Sequence, residues 1–344
     1  MPAYHNILVV RTDRIGDVLL TTPALAALRG AYPRAKIVMM IAPETYDIVG
    51  GNPCLDEIIV DDRKESHRGF FGFLKLVSMA RKRKFDLAVV FHTKKRTNLA
   101  CFLAGIPNRV GYRNDKFGFL LTDGLYDSRP EGAKHESEYC LDVLWHLGIA
   151  ADGLAVHMPL KSQSEDWAKT FLKDNNIAAS DTLIAVHPGA SCVSKRWPAG
   201  SFAQLIDAIM TKKNSARVIM VGGPETKSIA GDVLSSVKSH VIDLTGELSL
   251  TQLASLLKRC HVLVSNDSGP VHIAAAVGTP VVSIFGRNQA GLSPVRWRPL
   301  GKKDMVLHKE VGCEICLAHN CVIDFECLKA ITPQEVLEAV QSIL

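Results

Sequence analysis

Short β-branched apolar runs alternate along this chain with longer segments of helical periodicity, most clearly over Val262–Gly286, VLVSNDSGPVHIAAAVGTPVVSIFG. Val262–Ser265 reads as a strand, Asn266–Gly269 as a turn, Pro270–Val277 as a helix stopped by Gly278, and Pro280–Phe285 as a second strand. Asn6–Arg11 opens an earlier series. A turn over Thr12–Asp17 follows, then helical periodicity over Val18–Arg29 ended by Gly30 and Pro33, then strands at Lys36–Ile41, Glu57–Val60 and Asp86–Phe91 with helices between them. The rhythm lapses over Gly148–Glu165, where Val156–Leu160 alone has strand character, and the linker is placed there. The second series gives strands at Thr182–His187, Ala216–Gly222 and Val241–Asp243, with helices at Ser201–Thr211, Glu225–Val237 and Leu250–Cys260. Thr332–Leu344 starts with a capping signal and continues as an amphipathic helix. Strand alternating with helix predicts an α/β protein of two Rossmann-like, doubly wound parallel sheets.

A length of 344 residues suits two such domains, and a charged fraction of 22% belongs to a soluble globular chain. The net charge of +5 does not point to nucleic acid. Ile7–Val10 is too short for the core of a signal peptide, and no apolar stretch reaches the roughly 20 residues of a membrane span. The expected location is therefore the cytoplasm. Disulfides are not expected there among the nine cysteines, and Cys54, Cys101, Cys140 and Cys260 read as small packing residues.

Neither a GxGxxG fingerprint nor a GxxxxGK[ST] loop occurs, which disfavours a dehydrogenase and a kinase. Asp267 and Ser268 stand where helix caps belong. Gly269 leaves the backbone uncovered, and Pro270 suits a first turn, so the following helix start can hold an anion or simply be capped. Asp17 lies just past the first strand, at the sheet edge where such folds bind ligands, and Asp13 or Asp17 serves there as a general base or as a helix cap. In His187–Pro198, HPGASCVSKRWP, the hydroxyls of Ser191 and Ser194 and the ammonium of Lys195 suit a diphosphate. Glu225, in VGGPET, either contacts a ribose or caps its own helix. Phe70–Lys84 mixes aromatic and basic residues and reads as a packed amphipathic helix or as a segment on an anionic membrane face. Cys313, Cys316, Cys321 and Cys327 are spaced C-x2-C-x4-C-x5-C, which leaves a structural metal, packing thiols and a redox-sensitive cluster all open.

Taken together, RTDRIGDVLLTTPAL at Arg11–Leu25, HE at His135 and Glu136, HPGA at His187 with KRWP at Lys195, GGPE at Gly222 and NDSGPVH at Asn266 resemble glycosyltransferase family 9, the ADP-heptose:lipopolysaccharide heptosyltransferases. The resemblance implies a GT-B architecture. An acceptor domain over 1–160 and a nucleotide-sugar domain over 161–330 would face each other across a cleft, with a helix at 331–344 returning to the first domain. It implies inverting transfer of heptose from ADP-heptose to a lipid-linked inner-core oligosaccharide, without cofactor or catalytic metal, on the cytosolic face of the inner membrane. Asp17 then matches the catalytic base. Ser191, Ser194, Lys195, Glu225, Asp267, Ser268, Gly269 and His272 match the donor site, while Asp13, Lys94, Lys95, Arg96, Arg109 and Arg113 are acceptor contacts. Another ADP-sugar or glycan acceptor, or a nucleotide-sugar-binding protein without catalysis, are the alternatives.

Overall fold

In the computed structural model, which describes residues 3–151 and 153–344, every strand named above in the first series pairs in parallel with its neighbours. The chain divides into two units, Met1–Pro159 and Leu160–Leu344. The first holds β1 (Asn6–Val10), β2 (Lys36–Ile41), β3 (Glu57–Val60), β4 (Leu87–Val90), β5 (Asn108–Arg113) and β6 (Asp123–Tyr126), in the order β3-β2-β1-β4-β5-β6. The second holds β7 (Thr182–His187), β8 (Ala216–Met220), β9 (Ile242–Asp243), β10 (Val262–Asn266), β11 (Val281–Ile284) and β12 (Met305–Leu307), in the order β12-β11-β10-β7-β8-β9. Both are doubly wound sheets whose order reverses at one place, between β1 and β4 and between β7 and β10. Ligands of open α/β sheets bind beyond the carboxyl ends of the strands at that reversal.

The central strands are apolar on both faces because helices cover both, so β4, β7 and β10 read as continuous apolar runs rather than alternating ones. In the first unit Leu8, Val10, Val38, Ala88 and Val90 pack under Leu76, Val77 and Ala80 of the Gly69–Lys82 helix and Ala100 and Cys101 of the Lys95–Leu103 helix. The helix expected over Val18–Arg29 is two, Ile15–Leu19 and Thr22–Ala31. Pro23 lacks the N–H that would bond to Leu19, and the break falls where that bond is missing. Val156–Leu160 forms no strand. β5, β6 and β12 are additions to the sequence reading: β5 is interrupted by Gly111 and two arginines, and β12 has only three residues. The helix expected at Glu225–Val237 shortens to Lys227–Leu234 behind a 3-10 turn, Pro224–Thr226.

The C-terminal helix, expected at 331–344, runs over Pro333–Ile343. Val336, Leu337, Ala339 and Val340 of Pro333–Ile343 join the second unit's own core with Phe202, Leu205, Ile206 and Ile209, and the helix packs on Ala199–Lys212. The compact second unit runs from Leu160 to Leu344. Three large apolar side chains on one stripe, each worth about 1.5–3 kcal/mol on burial, account for its place there. Cys101, Cys140 and Cys260 are buried as expected, and burial pushes their thiols up to about 12. Among the described residues no helix is long and apolar enough to cross a membrane.

Candidate functional site

At the reversal in the second sheet, β7 and β10 deliver two loops that are laced together by one side chain. The Asn266 amide donates to the carbonyl of Pro188 (2.7 Å) and accepts from the backbone N–H of Trp197 (3.0 Å), holding both ends of the loop that carries Lys195. The Trp197 ring is 1% exposed and its indole N–H donates to the carbonyl of Ile331 (2.9 Å). Lys195 is therefore presented by a braced loop. Its Nζ lies 2.8 Å from Asp267 Oδ2, and the guanidinium of Arg287, just beyond β11, lies 2.9 Å from the same oxygen. Two cations meet one buried carboxylate here, leaving a net positive charge beside the first turn of the Gly269–Val277 helix.

Ser268 occupies the N-cap position without a side-chain cap bond. Its hydroxyl donates to the Asn266 carbonyl and lies 3.1 Å from Ser265 Oγ and 3.1 Å from His187 Nδ1. Burial pushes His187 down to about 4, so its imidazole is neutral at pH 7. The helix terminus is left to its backbone N–H groups and its dipole, an arrangement suited to phosphate. Gly189 matters to this packing, because a Cβ there would lie 2.4 Å from Thr226 Oγ1. The loop after β7 can thus lie directly on the Pro224–Thr226 turn that presents the exposed Glu225. Ser191 is exposed on the same loop. Ser194 is buried and engaged with His319 Nδ1 (3.0 Å), so its hydroxyl serves the fold. His272 is buried in the helix one turn beyond its start.

At the reversal in the first sheet the centre is Arg11, 2% exposed. It pairs with Asp13 (2.9 Å), Asp17 (2.7 Å) and Glu136 (2.8 Å). Burial opposes the charge on Arg11, but the carboxylates outweigh it and hold the guanidinium charged. One cation cannot balance three carboxylates in a site with little water. Burial, with Asp17 and Glu136 as like-charged neighbours and against the pull of Arg11, raises Asp13 to about 7. His92, beyond β4, approaches Asp13 (3.9 Å) and Thr12 Oγ1 (3.1 Å), and burial together with Arg11 and Lys94 drives it down to about 3, so it stays neutral. Asp13, expected as an acceptor contact, is thus part of the Arg11 cluster.

The other proposed acceptor contacts divide. Arg96 bonds the fully buried Asp61 (2.9 Å) and the His67 carbonyl (2.9 Å), so it holds the fold together. Arg109 donates to the Leu120 carbonyl and covers the Phe102 ring. Lys94 and Arg113 are exposed, as is Lys95, whose ammonium lies over Phe117. Burial and Lys116 lower the affinity of Lys94 for its proton.

Sequence reasoning did not single out Arg287, which follows an apolar strand at the carboxyl edge and is traceable only by that position. Nor did it give roles to Arg11 and Glu136, which lie 125 residues apart and meet only in the fold. Cys313, Cys316, Cys321 and Cys327, for which the sequence leaves a structural metal, packing thiols and a redox-sensitive cluster all open, line a cavity of about 390 Å³, and among the described residues no three His, Cys, Asp or Glu side chains are placed to hold a metal ion. The sulfurs are engaged separately. Cys327 donates to the Gly286 carbonyl (2.8 Å), while Cys316 and Cys321 accept from the N–H groups of Asn288 (3.4 Å) and Phe325 (3.3 Å).

The model of glycosyltransferase family 9 (heptosyltransferase) matches residues 73–325. This chain belongs to glycosyltransferase family 9. It is 25% identical to lipopolysaccharide heptosyltransferase 2 of Escherichia coli K12 over 98% of both chains. It is 28% identical to lipopolysaccharide heptosyltransferase 3 of the same strain, over 83% of this chain and 82% of that one. The glycosyltransferase family 9 structure from Veillonella parvula superposes with a TM-score of 0.90 at 26% identity, covering 98% of this chain and 97% of that one. E. coli ADP-heptose lipopolysaccharide heptosyltransferase II shares the fold, with a TM-score of 0.80 at 23% identity over 98% of each chain. The two parallel-sheet units are those of the GT-B architecture, and the protein is a glycosyltransferase.

Proposed function

We propose that this enzyme moves a heptosyl group from ADP-heptose to a lipopolysaccharide inner-core acceptor with inversion at the anomeric carbon. The observation that carries the reading is the cationic pair Lys195 and Arg287, gathered on Asp267 at the start of the Gly269–Val277 helix. As the bond to the anomeric carbon breaks, charge grows on the departing diphosphate, and these groups lie where that charge is stabilised. Glu225 is suited to accept hydrogen bonds from the ribose hydroxyls, and Ser191, Ser268 and Gly269 complete the donor site. In the first unit Asp17 takes the proton of the acceptor hydroxyl. Arg11 holds Asp17 in place and pairs with Asp13 beside it. Lys94 and Arg113 are exposed and suited to meet an anionic sugar. A lipid-linked acceptor places the enzyme at the cytosolic face of the inner membrane.

Two assays test the reading. Titration calorimetry with ADP, ADP-heptose, UDP and NAD should show binding of the adenine diphosphates alone. Mass spectrometry of a delipidated inner-core acceptor, incubated with enzyme and ADP-heptose, should show the gain of one heptose. Preference for UDP would remove heptose as the donor sugar, and binding of NAD alone would remove the transferase reading.

A further inference from the structure

Among the described residues four phenylalanines are exposed, and all lie on neighbouring elements of the first unit. Phe70 (70% exposed) and Phe71 (84%) begin the Gly69–Lys82 helix, Phe102 (46%) ends the Lys95–Leu103 helix, and Phe119 (73%) sits in the Gly118–Leu120 turn. The first helix packs on the second and the second on the turn, so the four rings lie on adjoining elements. The inner side of the Gly69–Lys82 helix is already filled by Leu76, Val77 and Ala80, which leaves Phe70, Phe71 and Leu74 with no role in that core. The two helices expose Lys75, Arg81, Lys82 and Lys95, and neither contains a carboxylate.

Exposed aromatic rings flanked by cations, on helices without acidic residues, match the interface of an anionic lipid bilayer. The rings enter the headgroup boundary while the ammonium groups meet phosphates. We infer that this face, centred on Phe70 and Phe71, docks the enzyme on an anionic phospholipid surface. The inference rests on the reading that the acceptor is lipid-linked and identifies the residues that bring the enzyme to it. A polar protein partner would leave the Phe70–Phe71 pair unmatched, and a second copy of this chain would set like charges against each other.

The test is co-sedimentation of the full chain with vesicles of phosphatidylethanolamine and phosphatidylglycerol, with phosphatidylcholine vesicles as the neutral control. The wild-type enzyme should partition onto the anionic vesicles and be released by salt. The F70S/F71S variant should partition at least about tenfold less, and K75E/K82E should lose the preference for anionic lipid. Both variants should transfer to a delipidated acceptor at the wild-type rate. Absence of wild-type binding to anionic vesicles, or equal binding by F70S/F71S, overturns the inference, as does a wild-type dimer in sedimentation velocity that F70S/F71S abolishes. The vesicles contain no sugar. Failure of the wild-type enzyme on the delipidated acceptor would therefore strike the heptosyl reading and leave the docking result standing.

Discussion

Lys195 Nζ lies 2.8 Å from Asp267 Oδ2, inside the protein's own ion pair rather than open to solvent. The same carboxylate oxygen receives Arg287 at 2.9 Å. A lysine held this way is pre-positioned, and Asp267 offsets part of the repulsion between two close cations until a diphosphate arrives. Lys195→Ala should weaken ADP binding and turnover together, because the ground-state diphosphate is already charged. A charge-assisted hydrogen bond is worth about 1.5–3 kcal/mol, or roughly 10- to 100-fold in affinity. Arg287→Ala should act in the same direction. Unchanged ADP affinity in calorimetry for both variants would remove this cluster from the donor site.

Asp17 makes the opposite prediction. It contacts Arg11 in the first unit, and the proposed role is proton removal from the acceptor. Loss of a general base typically costs about 10²- to 10⁴-fold. Asp17→Ala should lower kcat by that order while ADP binds as before. Near-normal kcat with a delipidated acceptor would show that another group takes the proton.

Asp13 gives the site its pH dependence. Its proton affinity is raised to about 7 in the fold against an ordinary 3.8, chiefly by burial. A group raised in the folded state favours folding when protonated. That stability is present below about pH 4 and is lost as pH rises through about 7. Asp13→Asn removes the ionisation, so the variant should gain thermal stability relative to wild type at pH 8, gain less at pH 5 and show little difference below about pH 4. Because Asp13 and Asp17 share Arg11, the pH profile of kcat/KM should break near neutrality in wild type and at lower pH in Asp13→Asn. A break at the same pH in both would separate Asp13 from catalysis, while equal melting temperatures at pH 8 would contradict its buried charge.

Much of this was legible in the sequence, for reasons particular residues make clear. The apolar runs at Ile7, Val89, Ile184 and Val264 are buried on both faces, so they stand out without a partner strand being known. Lys195 and Ser268 were legible because glycine and proline mark the turns that carry them. What escaped notice depends on tertiary contact. Asp13 reads as a helix cap or an acceptor contact until Glu136 is brought against Arg11 from the far end of the unit. Arg96 reads as a free cation until Asp61 is seen buried beneath it. The four C-terminal cysteines have a metal-like first spacing, yet the sulfurs of Cys316, Cys321 and Cys327 turn to separate backbone groups.

The C-terminal helix offers a test of where its apolar stripe belongs. Leu337 is 2% exposed in the core formed with Leu205, Ile206 and Ile209, and the helix lies on Ala199–Lys212. Replacing a buried leucine by alanine costs about 2–5 kcal/mol through lost transfer energy and the cavity left behind. Leu337→Ala should therefore lower the melting temperature. Hydrogen exchange should accelerate in both the Pro333–Ile343 and Ala199–Lys212 helices, since the two share one interface. The Gly69–Lys82 and Lys95–Leu103 helices of the first unit, which have no part in that core, should exchange as in wild type. Acceleration in those first-unit helices without any in Ala199–Lys212 would show that the apolar stripe of the C-terminal helix packs on the first domain instead, as the family resemblance implies.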